Sequence, residues 1–263
     1  MPLDFELYAD QVKLWPQTGR HILAQFDDDS IVVYQAYTPA IGRYAVEHGR
    51  FGGGFRSERM SWVKPNFLWM MYRSGWGTKE NQETTLALRL RRAFFDSLVA
   101  EAVPSTWDRE RFASSEDWSR AVRRSAVRLQ WDPDHHPSGA KLDRRAIQLG
   151  LRGRVLGAFG TNELLEVIDL SEFVAEQREV LASRGVAALV TPRERVYIPA
   201  DPVVGTEPPT MKTSAPTQRG RSSVPDSLRA PSQKASGESH QRRPLPVRLP
   251  TRRLSDRSLT VSR

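Results

Sequence analysis

The chain has 263 residues, no cysteine, 39 Lys and Arg against 31 Asp and Glu, and a formal net charge of +8. Its 39 % hydrophobic residues suffice for one sizeable core, while zero cysteines exclude a disulfide scaffold, a thiolate zinc site and a cysteine nucleophile. The longest nearly apolar run, Phe67 to Tyr72, falls far short of the ~20 residues that span a bilayer. The N-terminus also lacks a signal-peptide pattern, so the expectation is a cytoplasmic protein with no membrane partner.

In chain order, Ile22 to Phe26 and Ile31 to Tyr37 are short runs rich in β-branched and aromatic residues. Asp27-Asp28-Asp29-Ser30 separates them, which predicts a hairpin. Thr38-Pro39 reads as a helix start, with Ala40, Ile41, Tyr44, Ala45 and His48 on one face and Gly49 as the stop. Gly52-Gly53-Gly54 makes a permissive loop. Leu86, Leu88 and Leu90 alternate with Ala87, Arg89 and Arg91, predicting a half-buried strand with one wet face. Ala93 to Ala102 reads as a helix ended by Val103-Pro104. Val127, Leu129 and Trp131 point inward from a strand closed by Asp132-Pro133, and Ile147, Leu149 and Leu151 repeat that period. Leu164 to Ile168 predicts a further strand, Ser171 caps a helix running to Arg184, and Val196 to Ile198 makes a last short strand. These elements predict an α+β fold with a mixed, mostly antiparallel sheet and a few flanking helices.

The charge is unevenly spread. Residues 201–263 carry twelve basic and five acidic side chains, nine of the 18 prolines, ten serines and no aromatic residue. Such a composition cannot bury enough apolar surface to offset its ordering entropy. The expectation is a single globular domain over 1–200, with a net charge of only +1, and a disordered basic tail over 201–263.

None of the strong catalytic or phosphate-loop motifs is present. Asp132-Pro133-Asp134-His135-His136-Pro137 sets two imidazoles beside two carboxylates, but adjacent residues on a strand cannot face one site, so a solvated loop without metal is expected. The segment from Met60 to Glu83 is denser. A core element accounts for Phe67, Leu68, Met70 and Met71. It leaves Trp62, Trp69 and Trp76, spaced by seven and interleaved with Lys64, Tyr72, Arg73 and Lys79. Aromatic and guanidinium faces stack on flat rings, and Lys or Arg pairs with phosphate, so a nucleotide-like ligand would use them all. A second polar set lies on the strands: Gln35 with Tyr37, Arg128 with Gln130, and Arg145 with Gln148. Residues i and i+2 of a strand share a face, so Gln35 with Tyr37 and Arg128 with Gln130 project together, and three strands each presenting an amide beside an aromatic or a cation favour a groove.

At these residues the sequence resembles the family known as domain of unknown function 4291. The resemblance rests on Val33 to Tyr37, on Arg59 to Trp76, on Gln130-Trp131-Asp132-Pro133 and on Arg145 to Leu151, and spans about residues 15 to 190. A fainter resemblance links Tyr34-Gln35-Ala36-Tyr37-Thr38-Pro39-Ala40 and the helix ending at His48-Gly49 to ADP-ribosyltransferase-like domains. It implies a split, mostly antiparallel sheet and NAD as the ligand. In that resemblance Gln35 replaces the His or Arg that grips the nicotinamide ribose, Tyr37 or Tyr72 stacks on nicotinamide, and Gln148 takes the late-strand role of orienting the attacked ribose. Lys64 or Arg73 would hold the diphosphate, with Trp62, Lys79, Gln130 and Arg145 as further contacts. Two classes of function follow: a nucleotide- or NAD-using transferase, or a non-catalytic module that binds nucleic acid or a partner.

Overall fold

A computed structural model describes residues 3–201. The expected tail, apart from Asp201, lies outside the described residues. The chain opens with β1 (Phe5–Leu7), α1 (Tyr8–Gln11), β2 (Gly19–Arg20), β3 (Ile22–Ala24), β4 (Ser30–Tyr37) and α2 (Pro39–His48). Next come β5 (Ser61–Val63), α3 (Phe67–Ser74), β6 (Thr84–Arg91), α4 (Arg92–Glu101), β7 (Val103–Pro104) and α5 (Ser115–Arg124). The last elements are β8 (Val127–His135), β9 (Lys141–Leu151), α6 (Gly153–Phe159), β10 (Leu164–Asp169), α7 (Ser171–Arg184), β11 (Val190–Pro192) and β12 (Arg195–Tyr197). The fold is α+β, as expected. All strand pairings are antiparallel except β2 with β9 and β7 with β8.

Two larger sheets carry the fold. One has the order β10-β6-β4; the other runs β2-β9-β8-β7, with β5 on the same edge of β9 as β2. Ile31, Val33, Leu86, Leu88 and Leu90 from the first belong to one buried cluster with Val127, Leu129, Ile147, Leu149 and Leu151 from the second. Each fully buried aliphatic side chain contributes about 1.5–3 kcal/mol to such a core. On its other face the first sheet presents Val32, Tyr34 and Ala87 to Phe67, Met70 and Met71 of α3 and Val174 of α7.

That third layer corrects the expectation of a wet face on β6. Ala87 is fully buried, and Arg89 is 5 % exposed with its Nε 2.9 Å from Glu166 Oε2 on β10. Alternation reveals a strand but cannot distinguish solvent from a second apolar layer when the outward residues are Ala and a paired Arg. The hairpin is also corrected in part. Asp27 Oδ1 accepts the Ser30 and Asp29 backbone N–H groups at 2.6 and 3.0 Å, so the turn forms. Only the Phe26–Ile31 bridge joins its arms, however, because β3 pairs with β12 and β4 with β6.

The helix over Pro39–His48 is as expected, with Pro39 in the first turn and Gly49 at φ +62° ending it. β8 does not close at Asp132-Pro133 but runs on to His135. Pro133 lies beside Arg145 just before a register shift, where a missing N–H is tolerated. His135 is therefore no solvated loop residue: it is 3 % exposed, its ring stacks on Tyr72 at 3.5 Å, and burial pushes its pKa down. Beside it Asp134 and Arg144 form a buried ion pair at 2.6 Å, and Arg144 Nη1 also donates to the Pro16 carbonyl at 2.6 Å.

α3 is set by two caps. Asn66 Oδ1 accepts the Trp69 N–H at 2.7 Å, and Glu194, distant in sequence, accepts the Phe67 N–H at 2.6 Å. Burial drives the Glu194 carboxyl well above the usual carboxylate range, the Phe67 N–H pulling it back. Gly75 ends α3 at φ +60°, a left-handed position that suits glycine.

Candidate functional site

β5 is the hinge between the two sheets. Ser61–Val63 pairs with Leu151–Leu149 of β9, and the next residue, Lys64, forms a bridge with Tyr34 of β4. A short strand thus crosses from one sheet to the other, with Val63 in the core and Ser61, Trp62 and the following Lys64 bordering the gap. Trp62 lies opposite Gly150, where a Cβ would come within 3.0 Å of the indole and 2.8 Å of Met60 Sδ. Glycine is what lets the ring approach β9 so closely.

The gap is a cavity of about 540 Å³, within the size range of small-ligand sites. Seven of the ten residues singled out from sequence line it: Gln35, Tyr37, Trp62, Lys64, Arg73, Gln130 and Gln148. Trp69 lines it too, and its indole Nε1–H has no hydrogen-bond partner among the described residues.

Three groups of polar side chains furnish the cavity. In the first, Tyr37 Oη donates to Gln35 Oε1 at 2.8 Å, while Gln35 Nε2 donates to Ser61 Oγ at 2.8 Å and to the Trp62 carbonyl at 3.1 Å. Both amide hydrogens of Gln35 have an acceptor, and its side chain is 3 % exposed. Burial raises the Tyr37 phenol pKa, so it remains a neutral donor. This group ties β4 to β5.

In the second, Asp132 stands between two glutamines. Gln130 Nε2 donates to its Oδ1 at 2.8 Å and Gln148 Nε2 to its Oδ2 at 2.5 Å. Gln130 and Gln148 are register partners on β8 and β9, so the carboxylate fixes both amides on one face of the sheet. The Gln148 carbonyl oxygen is left without a donor among the described residues.

The third group is cationic. Lys64 is 4 % exposed; its Nζ donates to the Trp62 carbonyl at 3.3 Å and lies 4.8 Å from the centre of the Trp69 ring. No carboxylate lies within ion-pair distance of it among the described residues. Burial and the neighbouring Arg73 charge lower its pKa to about 7, with Asp132 acting in the opposite direction. Arg73, in the last turn of α3, is exposed and donates to Gln82 Oε1 at 3.3 Å. It too has no carboxylate partner among the described residues.

The remaining three residues lie elsewhere. Tyr72 stacks on His135 and borders a separate cavity of about 350 Å³. Lys79 Nζ donates to the Arg73 and Tyr72 carbonyls at 2.8 and 3.3 Å, where it closes the C-terminal end of α3. Arg145 borders a third cavity, of about 570 Å³, together with Arg20, Trp107 and Arg109. Sequence reasoning missed Asp132 and Ser61 as parts of the site; of the three tryptophans spaced by seven, Trp62 and Trp69 line the cavity and Trp76 does not. Asp132 continues the i, i+2 series from Gln130 and was legible there, had Asp132-Pro133 not read as the end of the strand.

Among the described residues no group of three or more His, Asp or Glu side chains could hold a metal ion, and no helix is long and apolar enough to cross a membrane. A family model described as Domain of unknown function (DUF4291) matches residues 21–197, which include every residue of the cavity. No curated protein matches the chain.

Proposed function

Because the chain belongs to the DUF4291 family, a family defined without an activity, we propose from the cavity alone that it binds a nucleotide-class ligand. The observation that carries this is the convergence of Lys64 and Arg73, two cations without carboxylate partners, with the Trp62 and Trp69 rings in one cavity of about 540 Å³. Cations of this kind pair with phosphate and indole rings stack on bases. In the enzymatic version the ligand is NAD and the reaction ADP-ribosyl transfer. Gln148, held by Asp132, orients the ribose; Arg73 and Lys64 meet the diphosphate; orientation and charge placement lower the barrier. Gln35 and Tyr37 then act as positioning residues, since their polar atoms are engaged with each other and with β5.

Titration of the full chain with NAD, AMP and ATP, followed by calorimetry, tests this. Loss of one charge-assisted hydrogen bond costs about 1.5–3 kcal/mol, so Lys64→Ala and Arg73→Ala should each weaken binding at least about tenfold with unchanged circular dichroism. Equal affinity in wild type and both variants removes the site. A second reading, binding of single-stranded nucleic acid, is favoured by the third cavity. There Trp107 is 38 % exposed with Arg109 5.1 Å from its ring, and Arg20 and Arg145 have no ion-pair partner among the described residues. Binding of a short RNA that is lost in Trp107→Ala but kept in Lys64→Ala would support that reading instead.

A further inference from the structure

We propose that Lys64 is a nucleophilic amine, and that the cavity takes an aldehyde or ketone bearing an anionic group and joins it to Nζ as an imine. The proposal goes beyond nucleotide binding but rests on the same cavity being a ligand site. Its basis is the setting of the amine. An ammonium group has three N–H donors, yet Lys64 Nζ has a single acceptor, the Trp62 carbonyl at 3.3 Å. It is 4 % exposed, it lacks a carboxylate at ion-pair distance, and it borders a cavity wide enough for a small molecule. Removal from water with no carboxylate beside it disfavours the charged form and makes the neutral amine accessible. Lys13, for comparison, is exposed and lies 2.8 Å from Asp10. Lys79 and Lys141 are exposed as well, so Lys64 is the one buried lysine among the described residues.

Two physical causes act on the amine together: removal from water and the adjacent Arg73 charge. They lower its pKa to about 7, and this combination is a known route to an activated lysine. The backbone holds the nucleophile in place. Tyr34 N–H donates to the Lys64 carbonyl at 2.6 Å and Lys64 N–H donates to the Tyr34 carbonyl at 3.4 Å, which fixes the residue at the edge of β4. Arg73 supplies the counter-charge for the substrate's anionic group, and the Trp69 ring closes one side.

The step balances without an added reagent. The Nζ lone pair attacks the carbonyl carbon, and the carbonyl π pair moves to oxygen, which takes up a proton. The oxygen then leaves as water with the two hydrogens that the amine has given up, and the C=N bond forms.

Pyridoxal 5′-phosphate is a suitable probe because it joins an aldehyde, a flat ring and a phosphate. The full chain is incubated at pH 7 with a substoichiometric amount of this probe, reduced with borohydride, digested, and mapped by mass spectrometry. At that pH an exposed lysine is almost wholly protonated, so Lys64 should label at least about tenfold faster than Lys13, Lys79 or Lys141. Arg73→Ala should slow labelling of Lys64 while leaving that of Lys13 unchanged. Label spread over Lys13, Lys79 and Lys141 with Lys64 spared overturns the proposal, whatever the nucleotide titration gives. Labelled Lys64 in a protein that binds no nucleotide upholds the amine and removes only the nucleotide reading.

Discussion

Replacing Lys64 by methionine isolates the energetic cost of burying its charge. In the unfolded chain the amine has its ordinary pKa of 10.5, and in the folded protein it is lowered to about 7. At 1.36 kcal/mol per pKa unit this corresponds to destabilisation on the order of 5 kcal/mol, an upper bound, when the amine is forced to be charged. The sign follows from proton counts: between pH 7 and 10.5 the unfolded state binds the proton and the folded state does not, so wild-type stability rises with pH there. Below pH 7 the whole cost is present. The hydrogen bond to the Trp62 carbonyl, worth about 1 kcal/mol, and the Trp69 ring face, worth about 0.5–2 kcal/mol, offset part of it. Lys64→Met should therefore unfold at higher urea concentration than wild type at pH 6, by about 2–3 kcal/mol. The advantage should shrink as pH rises from 7 towards 10.5, by at most about 1.4 kcal/mol per pH unit. Urea titrations at pH 6, 8 and 10 with tryptophan fluorescence measure this. A difference that stays constant across the range, or grows with pH, refutes the reasoning that Lys64 is held near neutrality.

Two other substitutions test how the cavity is supported. Asp134→Asn leaves the Arg144 guanidinium buried without its carboxylate, which should cost about 3–5 kcal/mol in chemical denaturation; a loss under about 1 kcal/mol would mean that solvent reaches Arg144. Gly150→Ala places a Cβ 2.8 Å from Met60 Sδ and 3.0 Å from the Trp62 indole. The ring must shift, so nucleotide affinity should fall about tenfold in calorimetry while stability drops by about 1–3 kcal/mol. Unchanged affinity would show that Trp62 does not touch the ligand.

Much of the frame is legible in the sequence because one-sided burial leaves a period. β8 alternates from Val127 to Gln130 and β9 from Asp143 to Ala146, and α2 announces itself by Pro39 and Gly49. What the sequence hides is burial on both sides. α3 buries Phe67 through Met71 in succession, so no amphipathic stripe marks it, and only the Asn66 cap and Gly75 betray its ends. β5 has three residues, too few to show any period. The site was legible where backbone geometry settles a face, as for Gln35 with Tyr37 on one strand; that Gln130 stands opposite Gln148 depends on the register of β8 on β9, which the sequence does not show. It failed where geometry forbids the grouping. Tyr72 and Arg73 are neighbours on a helix, about 100° apart, and they face different cavities. Arg145 and Gln148 are three apart on a strand, hence on opposite faces, and only Gln148 reaches the gap between the sheets.

The hydrogen-bond inventory shifts the chemical weight of the cavity from its amides to its amine. Gln35 donates both amide hydrogens to Ser61 and the Trp62 carbonyl and accepts from Tyr37. For a ligand to engage this amide it must first break a bond that holds β5 to β4. The cost of such a break, about 1–3 kcal/mol for each buried group left unsatisfied, argues for Gln35 as a brace. Gln148 keeps a free carbonyl oxygen, and Asp132 fixes its orientation, so it can accept a hydroxyl without rearrangement. Lys64 has the most unused capacity, with spare N–H donors and a lone pair exposed by its lowered pKa. Both sheets fix its backbone, through Tyr34 on one side and through the pairing of Val63 with Leu149 on the other. A mobile, solvated lysine could be replaced by arginine with little effect on phosphate binding. Lys64→Arg here would introduce a planar, permanently charged group into a space that now holds a compact amine. Charge at this position and reactivity at this position are therefore separable, and the second depends on the crossing of β5 between the sheets.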